Sequence, residues 1–178
     1  MAHPMQKFRY CPLCGAASFR ENDEKSKRCP SCGFTYFFNP AAATVAIITN
    51  ERGELLVTRR AKDPAKGTLD LPGGFCDLRE TAEEGVAREV KEETGLVVSS
   101  VKFLFSLPNT YPYSGVVIHT VDLFFACQVE SAAGARAMDD ASQLFWLPPR
   151  EIRPELFGLG SIRLGVQRIL QQGFAGEP

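Results

Sequence analysis

Histidine is scarce in this chain: His3 and His119 are the only two in 178 residues. His119 falls in a stretch that reads as strand, so a mechanism built on histidine is disfavoured. A run of about 18 apolar residues is also missing, which excludes a membrane-spanning helix. The first residues, MAHPMQKFRY, lack the apolar stretch of a secretory signal, and a cytoplasmic protein is expected. Neither sign of charge dominates. Twenty Lys+Arg against 21 Asp+Glu leave a formal charge of −1, which argues against a binder of bulk polyanions. There are no internal repeats and no low-complexity segment.

What is present fits one ordinary domain and a small module. The apolar fraction of 44% is enough for a packed core. Six cysteines divide unevenly. Cys11 and Cys14 form one CxxC pair, Cys29 and Cys32 another, and glycine follows each pair at Gly15 and Gly33. Cys76 and Cys127 stand alone. In a reducing compartment two such pairs read as a tetrahedral zinc site; a redox or disulfide pair has no need of a second copy. A closed Cys₄ site leaves no open position for water, so this Zn²⁺ is expected to be structural. Its work is to fold a segment whose middle, Ser18 to Arg28, is too polar to make a core.

The expected organisation is a Cys₄ module over 1–37 and a larger domain over 38–178, with Asn39-Pro40 at the boundary. In the larger part, Ala43–Thr49 and Leu55–Thr58 read as strands around the turn signal at Asn50–Gly53. Pro72-Gly73-Gly74 reads as a tight turn with exposed backbone. Thr81–Glu93 reads as a helix with Ala82, Val86 and Val90 as its buried stripe, capped by Glu80 or Thr81 and ended by Gly95. Further strands are expected at Val97–Phe105, Val116–Val129 and Leu144–Leu147, with a loop over Ser106–Gly115 and a helix through Ile162, Val166, Ile169 and Leu170. Strands alternating with two helices suggest a mixed α/β sandwich.

The helix carries the chemistry. Residues 80–93 hold six glutamates against Arg88 and Lys91, a net charge of −4. Glu89, Glu92 and Glu93 are spaced i, i+3 and i+4 and converge on one face. A solvated acidic face is one reading. Two features favour a metal site instead. Glutamates near a helix C-terminus oppose the macrodipole, and the Gly73-Gly74 turn places bare carbonyl oxygens beside the same face. Hard oxygen donors in that number suit Mg²⁺ or Mn²⁺.

The full pattern is Gly74, five residues, Glu80, seven residues, then Arg88-Glu89-Val90-Lys91-Glu92-Glu93-Thr94-Gly95-Leu96. It resembles the Nudix hydrolase signature at each defined position. The resemblance implies an α/β/α sandwich with a mixed sheet and hydrolysis of a nucleoside diphosphate linked to another group. It implies that Glu89, Glu92 and Glu93 bind divalent metal together with the Gly74 carbonyl, that one of these glutamates orients or deprotonates the attacking water, and that Glu80 and Arg88 pair to support the loop. Many members also carry an acid three positions before a late tryptophan. Here Gln143 precedes Trp146, with Asp139 and Asp140 nearby as substitutes or as plain solvated acids.

A zinc ribbon before this signature resembles the branch of NADH and ADP-ribose pyrophosphatases, and the resemblance suggests a homodimer. That branch carries a motif of the form SQPWPFPxS. The corresponding segment is Ser106-Leu107-Pro108-Asn109-Thr110-Tyr111-Pro112-Tyr113-Ser114, which keeps both serines and two prolines and loses glutamine and tryptophan. Tyr111 takes the aromatic position, with Tyr113 beside it. They stack on a base or simply pack a turn. Arg59 and Arg60 end a strand, where they grip a phosphate or stay solvated. The resemblance implies a small nucleotide substrate of the NADH, NAD or ADP-ribose type. The alternatives are removal of an NAD-type cap from RNA and a non-catalytic nucleotide-sensing domain. RNA contact by the ribbon is the minor reading, because residues 1–37 carry six Lys/Arg against three Asp/Glu.

Overall fold

The computed structural model describes residues 3–139 and 141–173. The backbone gathers into two compact units, Met1–Pro40 with Thr110–His119, and Ala41–Asn109 with Thr120–Pro178.

In the first unit β1 (Arg20–Asp23), β2 (Ser26–Arg28) and β3 (Thr35–Phe37) form an antiparallel sheet in the order β1-β2-β3. These strands carry no alternation signal, since all four β1 side chains are exposed. Their apolar support is small: Cys11, Phe19 and Cys29, with Ala16 and Phe34 packed against them. So little apolar surface cannot offset chain entropy, and a cross-link through the cysteines has to supply the rest.

The second unit contains β4 (Ala41–Ile47), β5 (Leu55–Arg60), β6 (Leu69–Asp70), α1 (Ala82–Thr94), β7 (Val98–Tyr113), β8 (Val116–Val129), β9 (Ala141–Leu147) and α2 (Gly160–Gln172), with the outer end of the β7–β8 hairpin assigned to the first unit. One sheet runs β4-β8-β7, with β4 parallel to β8 from Ala41↔Thr120 to Ile47↔Ala126. The other runs β6-β5-β9 and is antiparallel. The sandwich follows from alternation along the strands. Val45, Ile47, Leu55, Val57 and Phe124 face a core that includes Ile162, Val166 and Ile169 of α2. Ala46, Ile48, Leu56 and Phe125 face the opposite core, with Val86 and Val90 of α1. Buried polar groups are paired: the Asp122 carboxylate accepts from Asn109 (3.1 Å), Thr120 and Ser161, which ties β7, β8 and α2 together.

The structure departs from the expected loop at Ser106–Gly115. β7 continues to Tyr113, and the reversal is a two-residue turn at Ser114-Gly115 with φ of 48° and 77°. Positive φ at both positions matches the right-handed twist of a hairpin. Pro108 and Pro112 argued for a loop, but β7 is the outer strand of its sheet, where a missing N–H is tolerated.

Candidate active site and metal centre

The carboxylate helix is set at both ends by its own sequence. Thr81 is the N-cap: its hydroxyl accepts from the Glu84 amide at 3.1 Å, and the Glu84 carboxylate accepts from the Thr81 amide at 2.7 Å. Gly95 closes the helix at φ 72°, with its N–H on the Lys91 carbonyl. Val86 and Val90 are fully buried on the inner face. That burial leaves Arg88, Glu89 and Glu92 on a face turned toward the glycine loop.

The loop is fastened to β4. The amides of Thr44, Ala46 and Cys76 donate to the carbonyls of Gly74, Pro72 and Ala42 at 2.7, 2.7 and 3.1 Å. Gly73 has φ 149°, and a Cβ there would lie 2.9 Å from the Thr44 carbonyl carbon, so only glycine fits. Gly74 is required for a different reason. A Cβ on it would stand 2.5 Å from Oε1 of Glu89, so the missing side chain makes room for that carboxylate. The Gly73 amide donates to Oε2 of the buried Glu93 at 3.1 Å. The Gly74 carbonyl accepts from the Thr44 amide at 2.7 Å and, more weakly, from the Thr44 hydroxyl at 3.4 Å.

Arg88 organises the acids. Its Nε and Nη2 donate to the two oxygens of Glu80 at 3.1 and 2.7 Å, a bidentate pair. Nη1 donates to Glu89 (2.9 Å) and Glu92 (3.0 Å), and Nη2 also reaches the Phe75 carbonyl at 3.1 Å. The Arg88 hydrogen bonds, with the Asp77 amide, hold the Glu80 carboxyl down at about 2. Glu89 behaves oppositely. Burial raises its pKa above the usual carboxylate value, and the bond from Arg88 only partly offsets that. One carboxylate is thus a fixed structural anion and its neighbour a stronger base.

The other predicted residues fall elsewhere. Arg59 donates to Gln143 (2.9 Å) and to the Gly67 carbonyl (2.7 Å), and Arg60 pairs with Asp70 at 2.5 Å. Tyr111 and Tyr113 lie in the strand segment that belongs to the first unit. Both histidines belong to that unit as well, which leaves the second unit without one. Asp139 is exposed; the amide just before it, of Met138, donates to the Glu93 carbonyl at 2.9 Å, so the backbone there runs along the end of α1. Asp140 lies outside the described residues. The Cys76 thiol is pushed up by burial and by the neighbouring Glu80, which leaves it a poor nucleophile.

In the first unit the four cysteine sulphurs lie within 4.8 Å of one another, with Cys11–Cys32 and Cys14–Cys29 both at 3.7 Å. A Zn–S bond of about 2.3 Å implies a tetrahedral edge of about 3.8 Å, so the donor set fits Zn²⁺. Two matching turns build it. Gly15 and Gly33, at φ 73° and 77°, donate to the carbonyls of Cys11 and Cys29 at 2.9 Å each. Glycine after each CxxC is the sequence sign of these turns.

Comparison with known proteins agrees with both parts. Residues 39–164 match the NUDIX domain model, and residues 6–37 match the model of the NADH pyrophosphatase zinc ribbon domain. An ADP-ribose pyrophosphatase from Methanocaldococcus jannaschii is 36% identical over 112 residues, covering 62% of this chain and 63% of the relative. An NAD-capped RNA hydrolase, NudC, from Vibrio atlanticus is 28% identical over 120 residues, covering 67% of this chain and 44% of the relative. The matched segment thus spans about half of these relatives' length. A crystal structure of a NUDIX hydrolase from Nitrosomonas europaea superposes with a TM-score of 0.74 at 22% identity, covering 96% of this chain and 94% of that one, a likeness of fold.

Proposed function

This chain belongs to the NUDIX family, and from that premise we propose that it is a metal-dependent pyrophosphohydrolase acting on a nucleoside diphosphate derivative of the NADH, NAD or ADP-ribose type. The observations that carry this reading are Glu89 and Glu92 sharing Nη1 of Arg88, Glu93 on the Gly73 amide, and the Glu89 carboxylate in the room left by Gly74. The donor set is all hard oxygen, and the gap at Gly74 admits a carboxylate, so Mg²⁺ or Mn²⁺ fits. Glu89, Glu92, Glu93 and the Gly74 carbonyl would hold it. When bound, such an ion neutralises phosphate charge and acidifies water.

The chain's own groups do the rest. One of these glutamates takes a proton from the attacking water. The water oxygen forms a bond to one phosphorus, the bridging P–O bond breaks, and two phosphorylated halves leave. For ADP-ribose these are AMP and ribose phosphate. The Glu80–Arg88 pair keeps the loop against the helix while this happens. Tyr111 and Tyr113 as base-stacking residues, Arg59 as a secondary phosphate contact through the Nη2 that its bonds to Gln143 and the Gly67 carbonyl leave over, the boundary at residue 37, a homodimer and a cytoplasmic location complete the proposal. Among the described residues no helix is long and apolar enough to cross a membrane.

The test is a panel of NADH, NAD, ADP-ribose and NAD-capped RNA with Mg²⁺ and Mn²⁺, products identified. Glu92→Gln and Glu93→Gln are expected to lose turnover of whichever substrate is cut; unchanged turnover in both would sink the metal assignment. NAD-cap removal is the second reading, favoured by the NAD-capped RNA hydrolases among the relatives, such as that of Vibrio atlanticus. Nucleotide binding with no product under either metal would instead favour a sensing domain, although all the signature carboxylates are present.

A further inference from the structure

Among the described residues four that are not glycine have positive φ: Ala65 (62°), Arg79 (72°), Ser114 (48°) and Asp139 (47°). The fold explains three. The Ala65 carbonyl accepts from the Thr68 amide (3.2 Å) and hydroxyl (2.6 Å), and its methyl packs close to Gly158. Ser114 makes the hairpin turn. Aspartate tolerates this region better than most residues. Arg79 differs. Its side chain is exposed, and among the described residues it has no hydrogen-bond or ion-pair partner. Leu78 beside it is 96% exposed, so the two form the bare tip of the loop between Gly74 and Glu80. Glycine would sit there without strain. The Asp77 amide on the Glu80 carboxylate at 2.6 Å closes the turn around this tip, so the backbone angle is set locally; what the fold does not account for is an unpartnered arginine at a position that suits glycine.

The charge around the site gives that arginine a role. Residues 80–93 carry a net −4, and a diphosphate has to approach them. All five N–H donors of Arg88 are already engaged. Arg59 is bound to Gln143 and the Gly67 carbonyl, and Arg60 to Asp70 and the Pro64 carbonyl. The signature loop therefore has one uncommitted guanidinium, adjacent in sequence to Glu80. We propose that Arg79 is a substrate-binding residue whose guanidinium takes phosphate oxygens of the incoming nucleotide diphosphate. This rests on the pyrophosphohydrolase reading above. A planar fork of donors suits phosphate better than an ammonium does.

The test uses the full chain with its zinc, ADP-ribose as the probe, and the variants Arg79→Gly and Arg79→Lys. Arg79→Gly is expected to melt about 1–3 °C higher without nucleotide, because strain is relieved and only part of the gain is lost to unfolded-chain entropy. With Mg²⁺ its KM should rise about tenfold, the scale of one charge-assisted hydrogen bond, with kcat within about twofold. Its KM should also respond less to salt. Arg79→Lys should fall between glycine and the native chain. A native KM in Arg79→Gly overturns the proposal. If the native chain cleaves no nucleotide diphosphate, the hydrolase reading fails on its own. The rise in melting temperature caused by ADP-ribose then decides for Arg79: a smaller rise in Arg79→Gly supports it, an equal rise overturns it.

Discussion

Replacing each glycine of the Gly73-Gly74 pair by alanine separates the site from the fold. At Gly74 the added methyl meets the Glu89 carboxylate, 2.5 Å from Oε1 and 2.8 Å from Oε2. Ordinary contact begins at 3.4 Å, so the carboxylate has to retreat by about 0.9 Å. Glu89 ends a flexible side chain, and Gly74 does not hold a positive φ, so the backbone accepts alanine. The expected stability change is within about 1 kcal/mol of zero. A displacement of about 1 Å in a positioned group lowers turnover by about 100-fold, or about 2.7 kcal/mol of barrier. At Gly73 the methyl meets the Thr44 carbonyl, which is backbone and cannot swing away, and φ is 149°. Gly73→Ala should destabilise by about 3 kcal/mol or more. Urea unfolding and kcat/KM toward the best nucleotide substrate are measured for both variants. The reasoning is refuted if Gly74→Ala keeps activity within about threefold of the native chain, or if it unfolds as easily as Gly73→Ala.

Three further outcomes are expected. Gly165→Ala places a methyl 2.6 Å from Cζ of Phe124, which stacks on Phe105 at 4.8 Å, and this overpacking should cost about 1–3 kcal/mol in chemical denaturation. Glu80 has a depressed pKa in the folded chain, 4.5 falling to about 2, so its contribution is present above 4.5 and is lost as pH falls toward 2; Glu80→Gln should flatten the acid-unfolding curve in that window, and a curve identical to the native one would contradict the pairing with Arg88. Zinc chelation should expose four thiols to a thiol reagent and abolish the ordered ribbon while the main melting transition survives, because neither large core cluster contains a residue from 1–40.

Much of the second unit was legible because its elements are locally self-consistent. Val86 and Val90 recur with helical period, Thr81 and Glu84 form a capping box, and Gly95 supplies the left-handed cap, so the helix limits could be read within a residue. β4 and β5 were legible from short β-branched runs. Two regions were not. β1 to β3 carry no apolar alternation, because the four cysteines and a few side chains around them take the place of a core. The far half of β7 was hidden by Pro108 and Pro112. A proline signals a loop only where its missing N–H faces a partner strand, and from sequence nothing marks β7 as an edge.

The site shows the same division between local and long-range information. The bidentate Glu80–Arg88 pair is eight residues apart, across the N-cap and about two helical turns, so a spacing pattern contains it. The role of Gly74 as room for Glu89 also follows from nearby residues. The engagement of Arg59 by Gln143 depends on β5 lying beside β9, and these residues are 84 apart in sequence. From the chain alone Arg59 and Arg60 looked available to a phosphate. The pairing of β5 with β9 and β6 gives both of them protein partners. Arg79 has the reverse history: nothing in its sequence context singled it out, and only the backbone angle together with the engagement of every neighbouring guanidinium does so. A cation's availability is thus a property of the whole sheet, which is why a single row of residues located the carboxylate cluster more surely than the cations around it.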